Sequence, residues 1–203
     1  MIAELGRVSG VAVSRETVER LECYVELLKA ENRRQNLVSR GTLESIWERH
    51  ILDSAQLLRF QESPDVSWVD IGSGAGLPGI VIACLTDAPV TLVEPRRLRA
   101  AFLSGVIDKL GLNARVQAVK AEKASGKYAM ITARAVASVS KLLEISHHLS
   151  TRKSCWVLPK GKSALVELEE AQSAWHGVFH VERSLTNPDS HIIVAREVRA
   201  KRR

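Results

Sequence analysis

The chain has 203 residues, of which 45% are apolar and 26% charged, and 29 Lys and Arg outnumber 23 Asp and Glu for a net charge of +6. That length suits one well-buried domain with a small appendage, and the composition is globular rather than disordered. The longest apolar run, Gly79–Leu85, is far short of the roughly 20 residues that cross a bilayer, Met1-Ile2-Ala3-Glu4 has no signal-peptide pattern, and a cytosolic location is expected.

Residues 1–13 carry no clear pattern. Ser14 can cap a helix, with Glu16 in its first turn. Val18, Leu21, Val25 and Leu28 recur at helical spacing, which predicts an amphipathic helix over 15–33. After a polar connection, Asn36 to Gly41, Thr42 can cap a second helix running to about 60. The turn-forming stretch Gln61-Glu62-Ser63-Pro64-Asp65 then separates an N-terminal helical cap, 1–62, from a main unit, 63–203.

From there strands and helices alternate. The strands are expected at 68–71, 90–93, 116–119, 129–133 and 155–158. The helices are expected at 79–85, 97–110, 138–149 and 163–175, with a short helical piece at 121–125. Two final strands, 178–185 and 191–198, flank Thr186-Asn187-Pro188-Asp189 as a hairpin. The alternation predicts an α/β fold of Rossmann-like class, a seven-stranded, mostly parallel, doubly wound sheet with an antiparallel terminal hairpin.

The first strand ends on Asp70 and breaks into Gly72-Ser73-Gly74-Ala75-Gly76-Leu77-Pro78-Gly79 before the next helix. A strand, a glycine turn and a helix in that order form a nucleotide-cofactor site. A dinucleotide fingerprint would need a sixth-position glycine where Leu77 stands, and Asp70 at the lip of the turn would repel a pyrophosphate. An acid there suits a cationic ligand, and S-adenosylmethionine, with its ammonium and sulfonium, fits. Glu94, ending the second strand, is placed for ribose hydroxyls, and Ala121-Glu122, past the third, to border an adenine.

The residues at this point resemble the RsmG (GidB) family of bacterial methyltransferases, which act on guanine N7 in small-subunit ribosomal RNA. The resemblance rests on Asn36-Leu37, Arg49-His50-Ile51-Leu52-Asp53-Ser54, the run Asp70 to Gly79, Ala121-Glu122, Thr132-Ala133-Arg134-Ala135-Val136-Ala137 and Lys160-Gly161. It implies that Gly72, Leu77, Ala121, Glu122 and Arg134 contact S-adenosylmethionine, and that Lys160 sits at the substrate mouth. Glu31, Lys120 and Ala129 depart from the family's usual Trp, Arg and Asp.

The expected cofactor set is therefore Asp70, Gly72, Gly74, Leu77, Glu94, Ala121, Glu122 and Arg134. The expected RNA set is Lys160, His50, Arg49 and Lys120. Arg49 and Asp53, four residues apart, would by default form a local ion pair. Guanine N7 has no proton to remove, so no acid–base residue is assigned. A pI near 9.5 favours a polyanion, with 16S rRNA, free or in an assembling subunit, as partner. Basic residues cluster at Arg33, Arg34, Arg40 and Arg49, at Arg96, Arg97 and Arg99, and at Arg196, Arg199, Lys201, Arg202 and Arg203. Aromatic residues are 4% of the chain, and Tyr128 and Trp156 are the weak candidates for base stacking. Cys23, Cys84 and Cys155 read as reduced core thiols, neither they nor the six histidines have metal-ligand spacing, and a monomer is expected. A non-catalytic RNA-binding protein and a small-molecule methyltransferase are the competing readings.

Overall fold

The computed structural model describes residues 1–201, without the Arg40 side chain; Arg202 and Arg203 of the basic tail lie outside the described residues. Seven strands form one sheet: β1 (Trp68–Ile71), β2 (Val90–Val93), β3 (Ala114–Gln117), β4 (Met130–Thr132), β5 (Cys155–Lys160), β6 (Trp175–Arg183) and β7 (His191–Ala200). Their spatial order is β3-β2-β1-β4-β5-β7-β6. The first five are parallel, and β7 pairs antiparallel with both β5 and β6. This is the fold class that the alternating pattern predicts.

Successive residues of a strand face opposite sides, and two cores follow from that alternation. Trp68 of β1 packs on one face with helices α2 (Arg15–Gln35), α5 (Gly79–Leu85) and α6 (Arg97–Leu110), while Val69 and Ile71 pack on the other with α7 (Val139–Ser146). α2 starts at Ser14, whose hydroxyl accepts from the Thr17 amide, and ends at Asn36 in the left-handed conformation. Its apolar stripe Val18, Leu21, Val25 and Leu28 is buried in the first core, so the N-terminal helices and that sheet face share one apolar interior. Within residues 1–13, which carry no clear pattern in the sequence, Ile2–Ser9 form a helix, α1, with Leu5 and Val8 buried.

Several expectations change. The helix expected over 42–60 is broken into α3 (Arg40–Leu43), a π-helical turn Trp47–Leu52, α4 (Asp53–Ala55) and a 3₁₀ turn Gln56–Phe60, and it starts after Ser39 rather than at Thr42. β3 lies two residues earlier than expected, because Ala114 pairs with Val90. A shift of two keeps Val116 on the same face, so the hydrophobic alternation could not detect it. β6 begins at Trp175, which pairs with Ala200, and not at 178. Tyr128 and Trp156 are core residues, 4% and 0% exposed, which removes both as stacking candidates.

Candidate functional site at the sheet's switch point

β1 and β4 are neighbours from which the chain winds in opposite directions, and ligands of open α/β sheets bind outside the strand ends at such a point. Two loops meet there, the glycine turn after β1 and residues 133–137 after β4.

The turn is held from three sides. Gly72 and Ser73 donate their amides to the Val93 carbonyl at 2.8 and 3.1 Å, tying the turn to β2. The Glu94 carboxylate accepts from the Gly74 amide (2.9 Å) through one oxygen and from the Arg96 amide (2.8 Å) through the other. The Tyr24 hydroxyl, fully buried on α2, donates to the Ala75 carbonyl at 2.9 Å. Gly72 lies at φ +68°, and a Cβ there would come within 2.6 Å of Val136 Cγ2.

Asp70 does not stand at the lip of the turn, as its place in the sequence suggests. It is 1% exposed beneath it, where one carboxylate oxygen accepts from the Gly79 amide at 3.0 Å. A Cβ on Gly79 would approach that oxygen to 2.8 Å, which is why the α5 start needs glycine. Burial pushes the Asp70 carboxyl up to about 6, against the opposing hydrogen bond from the Gly79 amide, while the Ser73 hydroxyl donates to the Asp70 backbone carbonyl at 2.9 Å. Its second oxygen, Oδ1, is buried without a hydrogen-bond partner. A glycine turn flanked by two acids, one with an unused buried oxygen, fits a cationic, hydroxyl-bearing cofactor such as S-adenosylmethionine, and disfavours a pyrophosphate.

Of the other expected cofactor contacts, Leu77 and Ala121 are buried apolar residues, 4% and 8% exposed. Glu122 is exposed on the 3₁₀ turn Ala121–Lys123, with Lys120 exposed just before it.

Arg134 follows β4 and turns toward the N-terminal segment. Its Nη1 is 3.0 Å from His50 Nδ1 and 3.7 Å from Asp53 Oδ2. Burial, then the Arg134 and Arg49 charges, push His50 down to about 4, so the ring is neutral and its Nδ1 accepts from Arg134. The local Arg49–Asp53 pair is not formed. Asp53 Oδ1 instead accepts from Gln56 Nε2 and the Thr186 hydroxyl, both at 2.8 Å, and Arg49 is exposed. The buried Gln56 also accepts from the Leu185 amide at 2.8 Å, which clamps the β6–β7 loop to the broken helix.

Two cavities open along this edge, of about 470 and 420 Å³, with Asp53 and Ser190 in both walls. The larger is bounded by Arg134, Lys160, Glu167 and the loop 133–137, in which Ala135 takes a left-handed φ of 55°. Val136 lines that cavity and covers Gly72, so its side chain borders both the cavity and the glycine turn. Lys160 lies at the cavity wall but is not a solvated lysine. Its Nζ donates to the Ala137 carbonyl (2.7 Å) and pairs with Glu167 (2.8 Å).

Sequence reasoning missed Tyr24, Gln56, Thr186 and Glu167. Tyr24, Gln56 and Thr186 carry no local signal, since each acts through a partner more than fifty residues away, and Glu167 meets Lys160, seven residues earlier, only once α8 (Ala164–Ala174) folds back beside β5. Of the basic groups, Arg33, Arg49, Arg96 and Arg97 are exposed, whereas Arg34 pairs with Glu31 and Arg196 with Glu62.

The family described as rRNA small subunit methyltransferase G matches residues 17–193. A protein of Novosphingobium aromaticivorans named ribosomal RNA small subunit methyltransferase G is 50% identical over 190 residues, covering 91% of this chain and 83% of that one. One of the same name from Zymomonas mobilis is 42% identical over 201 residues, covering 95% and 91%. Among solved structures, a SAM-dependent methyltransferase from Aquifex aeolicus superposes with a TM-score of 0.60 at 16% identity, over 74% of this chain and 92% of that one. A ribosomal protein L11 methylase from Lactobacillus delbrueckii gives 0.58 at 15%, over 76% and 79%. At such identities these two structures speak to the fold alone.

Proposed function

This chain belongs to the rRNA small subunit methyltransferase G family, and on that premise we propose that it transfers a methyl group from S-adenosylmethionine to N7 of a guanine in 16S rRNA. The observation that carries the reading is the glycine turn at the switch point, flanked by Asp70 and Glu94.

Asp70, Gly72, Gly74, Leu77, Glu94, Ala121, Glu122 and Arg134 would hold the cofactor. Asp70 Oδ1 offers a buried acceptor to its cationic end. Glu94 fixes the turn through Gly74 and retains lone pairs for hydroxyl groups. Bound there, S-adenosylmethionine supplies an electrophilic methyl on a sulfonium sulfur. Guanine N7 has a lone pair and no proton at neutral pH, so the chain has no proton to move. Its residues supply position and a dry site instead, and orientation of two reactants can contribute on the order of 7–11 kcal/mol. Positive charge passes from sulfur to the base, so little new charge has to be stabilised.

The exposed Arg49 and Lys120, with His50, stand on the RNA side, and the net charge of +6 supports binding through phosphates. Lys160 enters this reading as the residue that holds the loop bearing Arg134, through Ala137. A cytoplasmic monomer acting on free rRNA or an assembling subunit completes the proposal, with residues 1–62 as a helical cap on the methyltransferase unit.

The test is methyl transfer from labelled S-adenosylmethionine to 16S rRNA and to small subunits from a strain lacking the gene, with mass spectrometry of the product. One N7-methylguanine per 16S molecule is expected. Transfer to neither substrate, or to another atom, overturns the reading.

A further inference from the structure

The larger cavity contains two carboxylates and two cations, and they are not equally engaged. Glu167 is saturated, with the Ser163 hydroxyl (2.7 Å) on one oxygen and Lys160 Nζ (2.8 Å) and the Val139 amide (3.1 Å) on the other. Lys160 is taken up by Glu167 and the Ala137 carbonyl. Asp53 and Arg134 differ. Asp53 Oδ1 is fixed by Gln56 and Thr186, while Oδ2 faces Arg134 Nη1 at 3.7 Å, too far for a hydrogen bond. Among the described residues, His50 Nδ1 is the one hydrogen-bond partner given to the Arg134 side chain, whose fork carries five N–H donors.

An open acceptor beside an open donor, in a cavity of about 470 Å³, is a recognition pair. Guanine presents the complementary pair on adjacent atoms, N1–H as donor and O6 as acceptor. Adenine presents the reverse there, an N1 acceptor and an amino donor. We propose that Asp53 is the specificity-determining residue for guanine: its Oδ2 accepts from N1–H of the target base, with Arg134 donating to O6 beside it. Reading the base from this edge leaves N7 unobstructed. Val136 both lines the cavity and covers Gly72, so a base seated there stands beside the glycine turn. The edge read is the one used in base pairing, so the guanine must enter unpaired and out of its stack.

The inference rests on the guanine-N7 reading and is tested by Asp53→Asn. The Asn amide oxygen can keep the bonds from Gln56 and Thr186, which turns its NH₂ toward the base. Wild type and variant are assayed on 16S rRNA carrying guanine, inosine or diaminopurine at the target position, alongside S-adenosylmethionine affinity and melting temperature. Wild type should methylate guanine and inosine, which share N1–H and O6, and reject diaminopurine. D53N should lose roughly 10- to 100-fold in kcat/KM on guanine and inosine, keep its cofactor affinity, and discriminate less against diaminopurine. An equal loss on all three bases, as a merely structural Asp53 would give, or no loss at all, overturns the assignment. Wild type inactive on guanine itself overturns the underlying activity, and the assignment with it.

Discussion

Lys160 Nζ lies 2.8 Å from Glu167 Oε2, and the two side chains are only 10% and 18% exposed. Burial raises the Glu167 carboxyl, but hydrogen bonds from Lys160 and Ser163 outweigh it and hold the group below the usual carboxylate range. The pair fastens β5 to α8 (Ala164–Ala174), and through Ala137 it also fastens the loop that aims Arg134.

Lys160→Met should therefore destabilise the fold by about 1–3 kcal/mol, because Glu167 and the Ala137 carbonyl both lose their donor. Thermal unfolding reads this directly. The double variant with Glu167→Gln should recover part of the loss, as coupled neighbours do. A Lys160→Met protein as stable as wild type, with only RNA binding reduced, would return Lys160 to a solvated substrate contact.

Asp70 gives a pH-dependent prediction. Its folded pKa, raised from 3.8 to about 6 chiefly by burial, means that the folded state favours the protonated acid. Its ionisation destabilises the fold progressively as pH rises through that window, by about 3 kcal/mol once complete. Asp70→Asn keeps an acceptor for the Gly79 amide and removes the buried charge. At pH 8 the variant should melt at or above wild type in the absence of cofactor, while losing most of the stabilisation that added S-adenosylmethionine gives wild type. Equal ligand-induced shifts in the two proteins would exclude Asp70 from the cofactor site.

Tyr24→Phe removes one buried hydrogen bond and leaves the Ala75 carbonyl without its donor. A loss of about 1–2 kcal/mol in stability is expected by denaturant titration. Because Ala75 belongs to the glycine turn, S-adenosylmethionine affinity should fall several-fold, although Tyr24 lies on α2, far from the turn in sequence. Unchanged affinity would show that the turn keeps its shape without this anchor.

Gly72→Ala meets two obstacles, a left-handed φ of +68° and Val136 Cγ2 at 2.6 Å. Adding Val136→Ala opens the space but leaves the backbone conformation, so the double variant should regain only part of the cofactor affinity. Calorimetric titration of both proteins separates the two effects. Full recovery in the double variant would assign the whole cost to crowding.

Affinity for 16S rRNA should fall steeply as salt rises, since phosphate contacts release counterions. Arg49→Ala should lower the magnitude of the slope of log affinity against log salt by about 1. A slope near zero in wild type would argue against a phosphate-based interface.

Local chemistry determined much of this protein. The short apolar strand β1 and the capping Ser14 mark their elements because each acts over a few residues. The glycine turn and its two acids were legible for the same reason, and the order of strands and helices determined the fold class. Tertiary structure alone decided what those acids do: Asp70 lies under the turn because α5 packs back over β1, and Glu94 reaches Gly74 because β1 and β2 are paired. It also decided the fate of Asp53. Spacing on a helix pairs it with Arg49, but the β6–β7 loop, more than 130 residues on, offers Thr186, and β4 brings Arg134 to its other side. Hydrogen bonds of that span leave no periodicity in the chain, so the arrangement of the site emerges only once the sheet has assembled.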